Sequence, residues 1–190
     1  MSSKLFKKVK NFVKDSFVNV GLEWQMKHFE RTVYWVLKLK PVADEALLIS
    51  AIAHDIERAF RKNIYHENVK KSKIGFRDAN YLNTHQKQGG KIMAKFLEKQ
   101  NADKKIIQRV KMLISKHEVG GDDDQNLLKD ADSLSFFENN TEYFIKKLVP
   151  IMGAEKIREK MDWMFNRISS EKAKKIAYTW YKEAIKQLNY

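Results

Sequence analysis

Apolar residues recur at three- and four-residue steps along most of the chain, which is the spacing of an amphipathic α-helix. The first such stripe comprises Leu5, Phe6, Val9, Phe12, Val13 and Phe17. Lysines occupy most of the positions between these residues. The stripe predicts a helix whose apolar face packs into the core, although the same pattern also suits a helix lying on a membrane surface.

The pattern predicts further helices along the rest of the chain, and hence an all-α fold. A second helix is expected over residues 22–39, and a third, apolar on nearly all sides, after Pro41 and Asp44. The segment 62–82 is polar and aperiodic, which predicts a long loop and a candidate lid or substrate-binding insertion. Later helices are expected over 85–100, from a cap at Asn101 to residue 117, after a turn at 120–124, and over 141–149, 154–166 and 170–188.

Two adjacent glycines, Gly89 and Gly90, interrupt the helix predicted over 85–100. Each is unfavourable there by roughly 1 kcal/mol relative to alanine. Close packing of this helix against a neighbour would explain both glycines.

Composition agrees with one helical domain over residues 1–190. Seven glycines and two prolines are too few for a turn-rich β architecture. Cysteine is absent, which excludes disulfides, thiolate metal ligands and a cysteine nucleophile. Since no apolar stretch approaches the ~18 to 20 residues of a membrane span, and the N-terminus lacks the apolar core of a secretory signal, we expect a cytoplasmic protein without a membrane span.

The chain is strongly basic, with 37 Lys and Arg against 24 Asp and Glu and a formal net charge of +13. A positive field of this kind attracts anions, so a nucleotide or small phosphate ester is the expected partner. Lysine-rich solvated helix faces would produce the same balance. Nucleic acid is disfavoured as a partner, because the basic residues are spread through the chain and form no recognised binding motif.

Four of the five histidines form a spaced series with acidic residues: His28, the doublet His54-Asp55, His85, His117, Asp130 and Asp132. Successive members lie about one helical hairpin apart, so most of them fall on different helices. A helical bundle can aim such side chains inward. Imidazole and carboxylate together form a nitrogen and oxygen shell that suits a divalent metal.

These residues resemble the HD-domain superfamily of metal-dependent phosphohydrolases, whose five sequence segments occur here in the family's order. The segments are 28–33 (HFERTV), 51–58 (AIAHDIER), 84–92 (THQKQGGKI), 114–118 (ISKHE) and 129–134 (KDADSL). Each segment is weak alone, whereas all five in order are specific. The resemblance covers about residues 22–140 and leaves a C-terminal helical extension, 141–190, without an assigned counterpart.

The resemblance implies an HD-type helical bundle around one or two divalent metal ions. The ligands of the first metal would be His28, His54, Asp55 and Asp132. His85 and His117 would hold a second metal, with Asp55 bridging the two and Asp130 as the spare carboxylate. Iron or manganese is favoured, and magnesium, cobalt, nickel and zinc also fit the ligand set.

The implied reaction is attack of a metal-activated water on a nucleotide or small phosphate ester. Catalytic roles would fall to Asp55, Arg58 and Glu118, with Glu118 or Asp130 orienting a water or a ligand. The residues expected to bind phosphate are Arg31, Arg58, Arg61, Lys62 and Lys91. Arg58 is the most attractive of these, because its guanidinium can bind two phosphate oxygens at once. The alternative for Arg58 is an ion pair with Glu57 or another neighbour.

The chain departs from the family's pattern in three places. Lys116 replaces the first histidine of one segment, and Gly120-Gly121 stands where a Gly-Tyr-Pro would be needed to cleave cyclic di-GMP. Arg58 stands where nucleotidase-like relatives carry a catalytic carboxylate, which puts a nucleotidase mechanism in doubt.

Two other functions fit the same residues. The ligand order is also that of the mixed-valent di-iron oxygenases related to myo-inositol oxygenase, and a non-catalytic HD domain that senses a nucleotide is a third reading. Hydrolysis is favoured over sensing, because a binding module has little reason to keep six ligands. His66 has no counterpart in the family and suits solvent. The aromatic residues of the C-terminal helices fit the core or a homodimer interface: Trp163, Phe165, Tyr178, Trp180 and Tyr181.

Overall fold

The computed structural model describes residues 3–61 and 78–189, and every regular element within them is helical. The longer helices are α1 (Lys4–Val18), α2 (Gln25–Leu39), α3 (Glu45–Ala53), α4 (Ala79–Lys99), α5 (Lys104–Ile114), α6 (Asp123–Asn139), α7 (Ala154–Asn166) and α8 (Glu171–Gln187). The short elements are a 3₁₀ turn at Ile56–Ala59, and helical turns at Thr141–Tyr143, Phe144–Leu148 (π) and Val149–Met152. The predicted all-α class is confirmed.

Capping side chains fix where most of the helices begin. At the start of α3, a carboxylate oxygen of Asp44 accepts a hydrogen bond from the backbone N–H of Leu47 at 2.8 Å. The same role at other helices falls to Ser3, Asp78, Asp103, Asp122 and Ser170. These caps satisfy N–H groups that the first turn of a helix leaves without an intrahelical acceptor.

Capping also explains where the predicted helix boundaries are wrong. Helix α4 begins at residue 79 because Asp78 caps it, so the loop predicted over 62–82 is wrong for residues 79–82. Residues 62–77 of that loop, Lys62 and His66 among them, lie outside the described residues. Helix α5 is capped by Asp103. The predicted cap, Asn101, instead adopts a positive φ of 53° between α4 and α5, a conformation that asparagine tolerates better than most residues.

Helix α3 is the central element and packs against α1, α2, α5 and α6. Seven of its nine residues are buried, from Ala46 to Ala53. A helix that is apolar on nearly all sides must be surrounded by others, as the sequence pattern predicted. The residues that directly follow α3 therefore start from the middle of the bundle.

The apolar stripe of α1 lies in the core. Val9, Val13 and Phe17 are fully buried and belong to the same apolar cluster as Ile49 and Ile52 of α3. Of the two readings of this stripe, the core helix is the one observed. None of the helices in the described parts of the chain is both long enough and apolar enough to cross a membrane.

Helices α7 and α8 pack against each other, and both contact α6. Together they form a second apolar cluster, in which the rings of Phe165 and Tyr181 stack with centroids 4.3 Å apart. Trp163 and Trp180 are also half-buried against this cluster, whereas Tyr178 is 51% exposed. Most of the C-terminal aromatic residues therefore serve the core, one of the two roles expected for them.

The two glycines of α4 lie where α4 crosses α5 and the end of α3. A Cβ atom at Gly90 would stand 2.5 Å from Ser115 Oγ and 2.8 Å from the backbone oxygen of Lys111. At Gly89 it would stand 3.2 Å from a methyl group of Ile114. The expected close packing of this helix is confirmed.

We predict that Gly90→Ala destabilises the protein, although alanine favours a helix over glycine by roughly 1 kcal/mol. The new methyl group would clash with the Lys111 carbonyl, which cannot rotate away, and overpacking of this kind costs about 1 to 3 kcal/mol. Chemical denaturation of wild type and variant measures the change. Lys91→Ala, at an exposed position of the same helix, is the control and should change the free energy of unfolding by less than about 0.5 kcal/mol. A more stable Gly90→Ala protein would contradict the close approach.

Candidate metal centre

Seven buried side chains form two groups in the interior. Within each group, every member offers a nitrogen or oxygen atom, and these atoms lie within 4.8 Å of one another. One group contains His28, His54 and Asp132; the other contains Asp55, His85, His117 and Glu118. All six metal ligands expected from the sequence are thus brought together, and Glu118 joins them. Each group could hold a metal ion.

The first group centres on the carboxylate of Asp132, which α6 supplies. Its Oδ1 lies 3.1 Å from Nε2 of His28 on α2 and 3.3 Å from Nε2 of His54, just after α3. Helix α2 packs extensively against α6, and α3 contacts both. The group therefore depends on three helices that meet in the core.

The second group centres on the carboxylate of Asp55. Its Oδ1 lies 2.9 Å from Nε2 of His85 on α4 and 3.7 Å from Nε2 of His117, which follows α5. The Oε1 atom of Glu118 lies 3.7 Å from the same nitrogen of His117. Two imidazoles and two carboxylates thus converge from three segments of the chain.

Asp55 also connects the two groups. While its Oδ1 faces His85 and His117, its Oδ2 lies 3.7 Å from Nε2 of His54 and 3.1 Å from a terminal nitrogen of Arg58. One carboxylate thus presents an oxygen to each group, which is the arrangement that a bridging ligand needs.

The doublet can serve both groups because α3 ends before it. The last residue of this helix is Ala53, and His54 and Asp55 follow it directly. Asp55 leaves the helical conformation, with φ −97° and ψ 13°. Consecutive residues inside a helix would point about 100° apart, whereas this turn allows both side chains to reach the centre. His117 likewise lies in a turn, beyond the end of α5 at Ile114.

His54 and His117 are held in the same way. The Nδ1 of each donates to the backbone oxygen three residues earlier, Ala51 at 2.9 Å and Ile114 at 2.8 Å. A carbonyl oxygen only accepts, so Nδ1 carries a proton, and Nε2 has a lone pair directed into the centre whenever the ring is neutral. Within the described residues, neither of these buried Nε2 atoms makes a hydrogen bond. A metal ligand has this arrangement, with one ring nitrogen fixed by a carbonyl and the other open to the ion.

His28 and His85 present the same nitrogen inward. The hydroxyl of Ser135 donates to the backbone oxygen of His28, so it accepts from Nδ1 of His28 at 2.9 Å. Nδ1 of His85 lies 2.7 Å from Oε2 of Glu57, which Arg61 also binds. Sequence reasoning missed the support from Glu57 and Ser135, although Glu57 stands only two residues after the doublet.

Electrostatics keep the central carboxylates ionised. Burial alone would raise the pKa of Asp55, but Arg58 and His54 hold it well below its usual range. Burial likewise opposes ionisation of Asp132, and Arg167 and His54 lower its pKa in the same way. Burial lowers the pKa of His28, whereas at His54 the carboxylates of Asp132 and Asp55 outweigh burial and raise the pKa to about 9. His54 would therefore release its Nε2 proton when a metal ion binds. The centre therefore presents negative oxygens to any cation that enters.

Arg167, between α7 and α8, joins the two groups from the side of the C-terminal helices. Its guanidinium donates to a carboxylate oxygen of Asp132 and to one of Glu118, and its Nε donates to Ser133 Oγ at 2.8 Å. The side chain is 6% exposed. Sequence reasoning missed Arg167, because it lies in the stretch without a family counterpart and no local motif marks it.

Asp130 is indeed the spare carboxylate. Its two oxygens accept hydrogen bonds from the backbone N–H groups of Ser169 and Ser170, both at 2.8 Å. Asp130 therefore holds the start of α8 and belongs to neither group of ligands. The alternative that it orients a water at the metal centre does not agree with these contacts.

A cavity of about 20 Å³ adjoins the centre. It has room for about one water molecule. It is lined by His28, Asp55, Arg58, Glu118, Asp132, Phe136, Asn140, Phe144, Lys160 and Met164. Lys160 is the second residue of the C-terminal helices that sequence reasoning missed. Burial of its ammonium group lowers its pKa to about 8.

The basic residues expected to bind phosphate lie in different places. Arg58 lines the cavity and pairs with Asp55 rather than with Glu57. Arg61 lies behind His85, where it binds Glu57 and the hydroxyl of Tyr81. Arg31 and Lys91 do not line the cavity: Arg31 pairs with Glu138 at 2.7 Å and covers the Tyr34 ring, and Lys91 is exposed on α4. Lys62 lies outside the described residues.

Comparison with known families adds one finding. Residues 14–188 match the model of a family described as a domain of unknown function, DUF4202. The chain belongs to this family. No curated protein and no solved structure matches the chain significantly. The region matched by the DUF4202 model takes in all seven side chains of the centre and also the helices that supply Lys160 and Arg167.

The contrast between the two aspartates of α6 gives a prediction. Asp132→Ala should lose tightly bound metal, because it removes the carboxylate that both His28 and His54 face. Asp130→Ala is the matched control and should keep the metal, while losing roughly 1 to 3 kcal/mol of stability with the hydrogen bonds that its carboxylate accepts from Ser169 and Ser170. Elemental analysis of desalted protein and thermal unfolding measure the two effects. Equal metal content in the two variants would count against this assignment of ligands.

Proposed function

We propose that this DUF4202 protein is a metal-dependent phosphohydrolase that cleaves a nucleotide or small phosphate ester. The observation that carries the proposal is the pair of buried histidine and carboxylate groups joined by Asp55. Four imidazoles direct Nε2 at ionised carboxylates, a donor set that suits iron or manganese and also fits magnesium, cobalt, nickel or zinc. The order of these residues along the chain, which resembles that of the HD-domain superfamily, gives independent support.

The seven side chains of the centre would hold two metal ions, and Arg58 would bind the phosphoryl group. His28, His54 and Asp132 would hold one ion, and His85, His117 and Glu118 a second, with one oxygen of Asp55 directed to each. A bound divalent ion supplies a water of lowered pKa and a positive charge for the phosphoryl oxygens. Arg58 would contribute a guanidinium that can bind two of these oxygens and offset the charge that develops during attack.

The side chains around the cavity support an anionic substrate. Arg58 and Lys160 both line it, next to the centre that would activate the water. Both cations attract a substrate with negative charge, whereas a neutral polyol, the kind of substrate that a myo-inositol oxygenase type of enzyme binds, gains nothing from them. We therefore place hydrolysis before oxygenation.

Removing and restoring the metal tests the proposal. We expect chelated protein to be inactive, and protein reloaded with Mn²⁺ or Fe²⁺ to release inorganic phosphate or a nucleoside monophosphate from a panel of phosphate esters. His117→Ala should lower kcat/KM by more than roughly 100-fold, beyond the ~10- to 100-fold typical of residues that only support a ligand. Lys91→Ala, exposed on α4, is the control and should keep full activity. A metal-loaded protein that is inert towards the whole panel would sink the proposal.

A second measurement separates hydrolysis from oxygenation. The hydrolase should release phosphate at the same rate under nitrogen as in air. Oxygen uptake that depends on an added substrate, together with an electron paramagnetic resonance signal from a half-oxidised iron pair, would instead identify an oxygenase.

A further inference from the structure

Lys160 is a buried cation for which the metal-ligand assignment provides no role. It lies on α7, is 7% exposed and lines the cavity beside Asp55, Glu118 and Asp132. Its ammonium nitrogen lies 4.4 Å from the centroid of the Trp163 ring. The carboxylates of Glu118 and Asp132 attract its charge and offset part of the cost of burying it.

The charges around the cavity indicate the charge of the ligand that it would bind. Three carboxylates, Asp55, Glu118 and Asp132, are matched by three cations, Arg58, Lys160 and Arg167. These side chains therefore carry no excess negative charge before a metal enters, even when His54 is neutral. Each divalent ion then adds two positive charges that the described side chains around the cavity do not offset. In a buried site, this excess is best met by a ligand of more than one negative charge.

The shape of the cavity indicates from which side such a ligand would enter. Nine of its ten lining residues are buried, and Arg58, whose side chain is 24% exposed, marks the side nearest solvent. The cavity has room for about one water molecule. A space of this size can take one terminal oxygen of a phosphoryl group, with the rest of the group on the side of Arg58.

We propose that Lys160 and Arg58 together bind the dianionic terminal phosphoryl group of a phosphomonoester, and that the site selects monoesters over diesters. This inference rests on the proposed function and deepens it, by naming the class of substrate and a binding residue from the C-terminal helices. A monoester carries close to two negative charges near neutral pH, since its second pKa is about 6, whereas a diester carries one.

Binding of two small anions to the Mn²⁺-loaded protein tests the selection without any substitution. Inorganic phosphate represents the free end of a monoester, and dimethyl phosphate represents a diester. We expect isothermal titration calorimetry to show phosphate binding at least about tenfold more tightly than dimethyl phosphate. Equal affinities, or no binding of either anion, would overturn the proposal.

Substitutions test the part played by Lys160. Lys160→Met should weaken phosphate binding about 10- to 100-fold, which is the loss expected for a hydrogen bond to a charged group. Lys160→Arg keeps the charge and should recover part of the affinity. Lys175→Met is the matched control, because it removes the same charge from an exposed position on α8 and should leave the affinity unchanged.

The outcomes distinguish this inference from the proposed function. Manganese content and circular dichroism establish that each variant retains the folded centre. If phosphate binds in a Lys160-dependent way but no ester is hydrolysed, the anion site stands and the hydrolase proposal fails. If esters are hydrolysed but Lys160→Met binds phosphate as wild type does, the hydrolase stands and the role of Lys160 is refuted.

Discussion

The structure depends on keeping ionised carboxylates inside a helical bundle. Asp55 and Asp132 are 2% and 6% exposed, and an unpaired charge at such a position would cost several kcal/mol. Imidazole nitrogens and the guanidinium groups of Arg58 and Arg167 surround them and hold their pKa values low. These contacts tie α2, the end of α3, α4, the end of α5, α6 and the C-terminal helices to one point.

The same contacts prepare the centre for a cation. Hydrogen bonds from Nδ1 fix the orientation of all four imidazoles, so that each presents Nε2 to the interior. At His54 and His117 that nitrogen is buried without a hydrogen bond in the described structure. Preorganisation of this kind costs folding energy in the absence of a ligand, and it is the arrangement expected where binding has to be tight.

The fold and the ligand set could be predicted in large part from local sequence. The apolar pattern predicted the central helix α3 and the core face of α1. A helix that is buried on one side carries an apolar residue every three or four positions, and one that is buried on all sides is apolar throughout. The ligands could be recognised in the sequence because histidine and aspartate are rare inside apolar segments. His54 and Asp55, which directly follow the apolar helix α3, are the example. Boundaries were harder to place, since the polar first turn of α4 resembles a loop until the cap at Asp78 is recognised.

The sequence by itself determined the class of fold and the identity of the candidate ligands, because both follow from the spacing and the type of the residues. Only the tertiary structure decided that Glu118 joins the second group, that Asp130 binds the backbone just before α8, and that Arg167 and Lys160 come to the centre from the C-terminal helices. The physical reason is that these roles depend on contacts between residues far apart in the chain. Arg167 and Asp132 are separated by 35 residues, and no periodicity or local motif records such a pairing.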